Sequence, residues 1–114
     1  MNERRELRRR RLMHRLQVYE RPTERFLGNA VDLTAKGLLL ITETPPAVGS
    51  ALELRLDLPE PMFGKHHIDV DADAVWRKRD VNPGFYDVGL TFTKIAPRDQ
   101  EIIRQIIAMF SLVD

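Results

Sequence analysis

The strict alternation of residues 51–59, ALELRLDLP, restricts the possible folds more than any other feature of the chain. The apolar positions of this segment are Leu52, Leu54, Leu56 and Leu58. The charged positions between them are Glu53, Arg55 and Asp57. Successive side chains of a strand point to opposite faces, so the segment predicts a β-strand with one buried and one solvated face. We therefore expect a core built from strands.

Further segments have strand-like patterns and are separated by turn signals. They are residues 16–20, 26–31, 38–42, 68–76 and 85–93. Pro45, Pro46 and Gly49 predict a turn before the alternating segment, because proline cannot donate to a sheet ladder and glycine permits a turn. Residues 59–67, PEPMFGKHH, predict a loop.

The C-terminal segment has a helical pattern. Pro97 is tolerated in the first turn of a helix, and Asp99 and Glu101 suit the positive end of the helix dipole. Apolar residues recur at helical spacing and form a stripe: Ile102, Ile103, Ile106, Ile107 and Phe110. Six short antiparallel strands followed by one amphipathic helix predict a mainly β fold, a small six-stranded barrel with the helix packed on it.

Charge is distributed unevenly along the chain. The net charge is +1, yet residues 1–15 contain seven arginines and only two glutamates. We predict a basic N-terminal arm over residues 1–15 and a mildly acidic barrel domain over residues 16–114. The four consecutive arginines at 8–11 repel one another, so such a run either holds an anion or stays solvated.

Composition argues against several function classes. The chain has no cysteine, which removes thiol chemistry and disulfides and favours a reduced compartment, so we expect a cytoplasmic protein. The apolar runs are too short for a membrane span, and no apolar signal region follows the N-terminus. We predict no metal site, because Asp69, Asp71 and Asp73 alternate with apolar residues as the wet face of a strand. No nucleophile is paired with a recognisable base, so we predict no enzymatic activity.

Two short motifs occur in order along this pattern. The arginine run contains the spacing Arg-x-x-x-Arg, and Asp32-x-Thr34-x-x-Gly37 lies just before an apolar strand. Together with the predicted strands and helix, they make the sequence similar to the PilZ domain family over nearly its whole length. The resemblance implies that both motifs bind the bacterial second messenger cyclic di-GMP, with Thr34 in place of the family's serine.

The register of the arginine motif stays open in the sequence. Arg4 with Arg8, Arg5 with Arg9, and Arg11 with Arg15 all satisfy the spacing, and we favour Arg5 with Arg9. Arginine suits the ligand because its planar guanidinium donates in pairs to phosphate oxygens or to the O6 and N7 of guanine.

The remaining site predictions combine the resemblance with elementary chemistry. Asp32 would accept hydrogen bonds from guanine, and the Thr34 hydroxyl would reach phosphate or base. Gly37 would supply either a positive φ or room for a close approach of the ligand. The alternation of its strand favours a core position for Trp76, whereas the resemblance implies a side chain of this strand beside the ligand, and we include Trp76 in the site.

Three functions remain in competition. The first is a non-catalytic cyclic di-GMP receptor that signals to a protein partner. The second is an adaptor of the same fold that binds a protein and no nucleotide. The third is a nucleic-acid-binding barrel, which we disfavour because a basic arm supplies phosphate affinity without base readout.

Overall fold

The structure is a computed structural model that describes residues 10–113. It contains seven strands and one helix in the order β1 (Arg10–Glu20), β2 (Phe26–Thr34), β3 (Gly37–Thr42), β4 (Ala51–Met62), β5 (Lys65–Arg79), β6 (Tyr86–Ile95), α1 (Pro97–Phe110) and β7 (Ser111–Val113). No helix within these residues is long and apolar enough to cross a membrane.

Six of the strands close into a barrel. The sheet order is β2-β3-β6-β5-β4-β1-β7, and an additional pairing of β1 with β2 joins the two ends of the six-stranded part. All the pairings are antiparallel. The pairing of β1 with β2 covers the two strands that would be the outer edges of an open six-stranded sheet. The predicted six-stranded barrel with a C-terminal helix is confirmed.

The core follows the alternation in the sequence. Leu54 and Leu56 of β4 are fully buried, and the leucines on either side of them pack against the core at its margin. The helix buries Ile102, Ile103 and Ile106 completely. It contacts β1, β2 and β7, so its apolar stripe covers the barrel beside the strand that carries the N-terminal arginines.

The first strand begins earlier than predicted. It starts at Arg10, whereas we placed the beginning of the barrel at residue 16. The additional residues at the start of β1 pair with the C-terminal strand β7, where Arg10 lies opposite Val113 and Leu12 opposite Ser111. The part of the predicted basic arm that precedes β1, residues 1–9, lies outside the described residues.

The loop predicted at residues 59–67 is instead a tight hairpin. β4 continues to Met62 and β5 starts at Lys65, so only residues 63 and 64 form the turn. Pro59 and Pro61 led us to predict a loop, but they fall in an irregular part of the ladder between Asp57 and Met62. A strand tolerates proline where a ladder hydrogen bond is already missing.

Candidate functional site

The β2–β3 hairpin brings the second motif together in a two-residue turn. Thr34 pairs with Gly37 across the hairpin. The Thr34 hydroxyl oxygen accepts hydrogen bonds from the backbone N–H of Lys36 at 3.1 Å and of Gly37 at 3.2 Å. A hydroxyl that accepts from the backbone two and three residues later stabilises a turn. Thr34 therefore shapes the hairpin in addition to any contact with a ligand.

One of the two reasons predicted for Gly37 is excluded by its backbone conformation. Its φ does not lie in the left-handed region, so the prediction of a positive φ was wrong. A Cβ at this position would overlap the backbone carbonyl of Leu90 on β6. Gly37 is also buried, and the close approach that it permits is that of the neighbouring strand.

Trp76 lies on the surface beside this hairpin. The pairing of β5 with β6 shifts register between Ala74 and Trp76, so Val75 is an extra residue. This bulge changes the phase of the alternation, and Trp76 is 38% exposed. The core position favoured by the alternation was therefore wrong for Trp76.

Gly89 makes room for the indole of Trp76. The two residues pair across β5 and β6, and a Cβ at Gly89 would overlap the indole ring. Sequence reasoning did not assign Gly89 to the site. The available signal was a glycine inside a strand, which often marks a place where another group approaches the backbone closely.

A shallow depression joins these features. Its volume is about 250 Å³. The motif hairpin, the β5 bulge and β6 all contribute to its lining, which includes Asp32, Thr34, Lys36, Gly37, Trp76 and Gly89. Asp32 is buried, with 5% of its surface exposed, whereas Lys36 is exposed. The depression thus offers a carboxylate, an ammonium group and an aromatic ring within one surface.

The N-terminal strand enters beside this depression. Arg11 of β1 is paired with Asp32 of β2, and the ladder between them and the pair of Leu16 with Ala30 is irregular. The beginning of β1 therefore lies next to the Asp32 motif. Arg15 is exposed on β1.

The predicted arginines Arg4, Arg5, Arg8 and Arg9 lie outside the described residues. The choice among the three arginine registers stays a prediction.

Acidic and basic groups meet on the nearby β5–β6 hairpin. The pKa of Asp80 is held below its usual value, first by a hydrogen bond with Asp87 and then by the backbone N–H of Asn82 at 2.9 Å. Arg15 and Lys78 lower the pKa of Asp80 further through their positive charges.

The acidic strand face is engaged in structural contacts. Asp71 forms an ion pair of 2.6 Å with Arg21, which also donates to the backbone carbonyls of Leu54 and Val70. Within residues 10–113, no group of three or more His, Cys, Asp or Glu side chains is placed to hold a metal ion.

Comparison with known proteins relates this fold to one family. The sequence model of the PilZ domain matches residues 2–109. The structure of the Bacillus subtilis inhibitor of motility, MotI/DgrA, is similar with a TM-score of 0.70 at 21% sequence identity, over 88% of this chain and 48% of that one. The chain thus spans about half the length of MotI.

A second solved structure is similar over most of both chains. The PilZ domain of Escherichia coli YcgR, determined with c-di-GMP, has a TM-score of 0.65 and 14% identity, over 89% of this chain and 87% of that one. At these identities the structural likeness concerns the fold. No curated protein matches the sequence.

Proposed function

The chain belongs to the PilZ domain family, and on this premise we propose that it is a non-catalytic cyclic di-GMP receptor that acts in the cytoplasm and signals to a protein partner. The observation that carries the proposal is the entry of β1 beside Asp32, where Arg11 and Asp32 are paired. The arginine run of the sequence therefore joins the barrel at the second motif.

The chemistry of the depression suits a cyclic dinucleotide. The ligand carries two phosphate charges and guanine edges that both donate and accept hydrogen bonds. The carboxylate of Asp32 is an acceptor for guanine N–H groups, and the exposed ammonium of Lys36 is a partner for phosphate. The partly exposed indole of Trp76 offers a surface on which a base stacks.

The depression is small for a site that encloses a ligand, so we propose that a further segment covers the bound ligand. Its volume of about 250 Å³ is below the roughly 300–1,000 Å³ of sites that bury small ligands. The residues before β1 lead into the strand that pairs with Asp32, and they carry the Arg-x-x-x-Arg spacing. In the proposed mechanism, ligand phosphates neutralise these arginines and the arm docks across the depression, which creates or hides a surface for the partner.

Calorimetric titration of cyclic di-GMP tests the proposal. We expect the native protein to bind, and Arg9→Ala and Asp32→Ala to weaken binding by at least about tenfold, because each removes a charged hydrogen-bonding partner. Arg104→Ala is the matched control, since Arg104 lies on the helix in an exposed ion pair with Glu101. Equal heats in all four proteins, with unchanged thermal unfolding, would reject the assigned site.

The same titration resolves the arginine register. Alanine variants of Arg4, Arg5 and Arg11 each interrupt one of the three possible pairs. The pair whose loss reduces binding most is the one in use, and we expect this to be Arg5 with Arg9.

An adaptor without nucleotide binding is the second candidate. It is favoured by Thr34, whose hydroxyl already serves two backbone N–H groups and needs no ligand to explain its presence. Capture of a partner by a protein that gives no heat with the nucleotide supports this reading.

A further inference from the structure

The last part of β5 is open on one side. β4 begins at Ala51, which pairs with Asp73. The loop before β4 reaches Ala74, whose N–H donates to the Ser50 carbonyl and whose carbonyl accepts from the Gly49 N–H. Beyond Ala74, the pairings of β5 within residues 10–113 are with β6 alone. Residues 75–79 therefore form an edge strand in a barrel whose other long strands are paired on both sides over much of their length.

All five residues of this edge are exposed. Val75 is 48% exposed and Trp76 is 38% exposed, and three basic residues follow them, Arg77, Lys78 and Arg79. A strand edge of this kind presents unused backbone N–H and C=O groups to which another extended chain can pair.

The charge of the edge is only partly balanced by its neighbours. Lys78 pairs with Asp87 and acts on Asp80, so carboxylates stand near it. Arg77 lies over the ring of Tyr86 at 5.8 Å, and neither Arg77 nor Arg79 forms an ion pair with a described residue. Two guanidinium groups thus remain available to an incoming chain.

These charges select the occupant. A second copy of this chain, added antiparallel in a register centred on residues 77–79, would place basic residues opposite basic residues, which is unfavourable across paired strands. An extended segment with carboxylates would place opposite charges there, and apolar side chains between the carboxylates would cover Val75 and Trp76. The edge thus disfavours self-association and suits an acidic strand.

We propose that residues 75–79 are a docking edge for an extended, acidic segment of a partner protein, which adds to β5 as a further strand. Val75 and Trp76 also line the candidate ligand depression, so the two sites share side chains. The inference deepens the partner-signalling part of the proposed function and rests on it. Ligand at the depression and a strand at the edge would each alter the other's affinity, since coupling between sites is reciprocal.

A peptide titration of the whole protein without nucleotide tests the edge. The probe is a blocked peptide that alternates glutamate with valine, followed by nuclear magnetic resonance and amide hydrogen exchange. We expect protection of those amides of residues 75–79 that do not bond to β6, and affinity at least about tenfold above two control peptides. One control has lysine in place of glutamate, and the other has proline at its centre, which removes a strand hydrogen bond.

Charge reversal identifies the residues responsible. Arg77→Glu combined with Arg79→Glu is expected to weaken binding of the acidic peptide by at least about tenfold, whereas Arg104→Glu on the helix leaves it unchanged. Absence of protection at residues 75–79 would overturn the proposal. Equal binding of the proline peptide would overturn it as well, because charge attraction alone would then explain the affinity.

The two proposals fail separately. If the acidic peptide does not bind to a protein that still gives heat with cyclic di-GMP, the docking edge is rejected and the receptor stands. If the peptide binds and the nucleotide does not, the edge stands and the adaptor function replaces the receptor.

Discussion

The hairpin of β2 and β3 and the hairpin of β4 and β5 each turn through two residues, but different forces hold them. The first is fixed by the Thr34 hydroxyl and by the packing of Gly37 on β6. The second has positive φ at both central residues, Phe63 at 52° and Gly64 at 76°. Only the first lines the candidate ligand depression.

The second hairpin is tied to the helix. Lys65 donates to the buried carboxylate of Asp99 at 2.6 Å, and the guanidinium of Arg98 lies over the ring of Phe63 at 5.4 Å. Side chains anchor this turn from outside. The motif hairpin is instead held by its own Thr34 hydroxyl and by its neighbouring strand, which leaves the side chain of Lys36 available to a ligand.

Replacing one glycine in each hairpin gives the largest difference between them. Gly37→Ala forces a methyl group against the Leu90 carbonyl, and we expect a loss of about 3 kcal/mol in the free energy of unfolding, because paired backbones must separate. Gly64→Ala meets no atom within 4 Å and only its φ of +76° is unfavourable, so about 1 kcal/mol is expected. Urea unfolding of both variants measures the difference, and equal losses would contradict the packing role of Gly37.

Breaking the anchor of the second hairpin has the next largest effect. Lys65→Met removes the partner of Asp99, a carboxylate whose side chain is only 5% exposed, and we expect a loss of about 2 kcal/mol. The double variant Lys65→Met with Asp99→Asn should lose less than the sum of the two single variants, because the neutral amide needs no counter-charge. Additive losses would show that the ion pair does not couple the hairpin to the helix.

Alternation along the chain was enough to predict the barrel, and the failures came from contacts distant in sequence. The alternation of leucines with charged residues in β4 was sufficient to predict which face of the strand is buried. The same reasoning favoured a core position for Trp76, but the bulge at Val75 places its side chain on the surface, and Gly89 on β6 accommodates the ring. Local periodicity carries no information about which residue lies opposite in the next strand.

The same limit applies to the candidate site. Asp32, Thr34 and Gly37 were identified by the resemblance of their motif to that of the PilZ family, and strands β2, β3, β5 and β6 meet around them. The reason for Gly37 depends on Leu90, far along the chain, and was not available from the motif. The β4–β5 turn was missed because Pro59 and Pro61 led us to predict a loop. The hairpin is closed by the pairing of Met62 with Lys65, which the prolines do not reveal.

Removing the Thr34 hydroxyl tests how much its hydrogen bonds stabilise the motif hairpin. Thr34→Val keeps the side-chain shape but leaves the N–H groups of Lys36 and Gly37 without their acceptor, so we expect a loss of about 1 kcal/mol. Thr34→Ser retains the oxygen and is expected to unfold at nearly the native urea concentration. If the free energy of unfolding falls equally in Thr34→Val and Thr34→Ser, the hydroxyl of Thr34 does not stabilise the turn.

Changing the strained residue of the second hairpin has the smallest effect, with the opposite sign. Phe63→Asn places a residue that tolerates positive φ before Gly64, as the preferred Asn-Gly turn does, and relieves about 1 kcal/mol of backbone strain. Loss of the contact with Arg98 costs about 0.5 kcal/mol, so a net gain of about 0.5 kcal/mol is expected. Lys36→Asn is the matched control in the motif hairpin, where φ is not positive, and it should bring no gain. Thermal unfolding of Phe63→Asn and Lys36→Asn measures the difference. A lower midpoint for Phe63→Asn than for the native protein would contradict the expectation, because the contact of the Phe63 ring with Arg98 would then stabilise the turn by more than the backbone strain destabilises it.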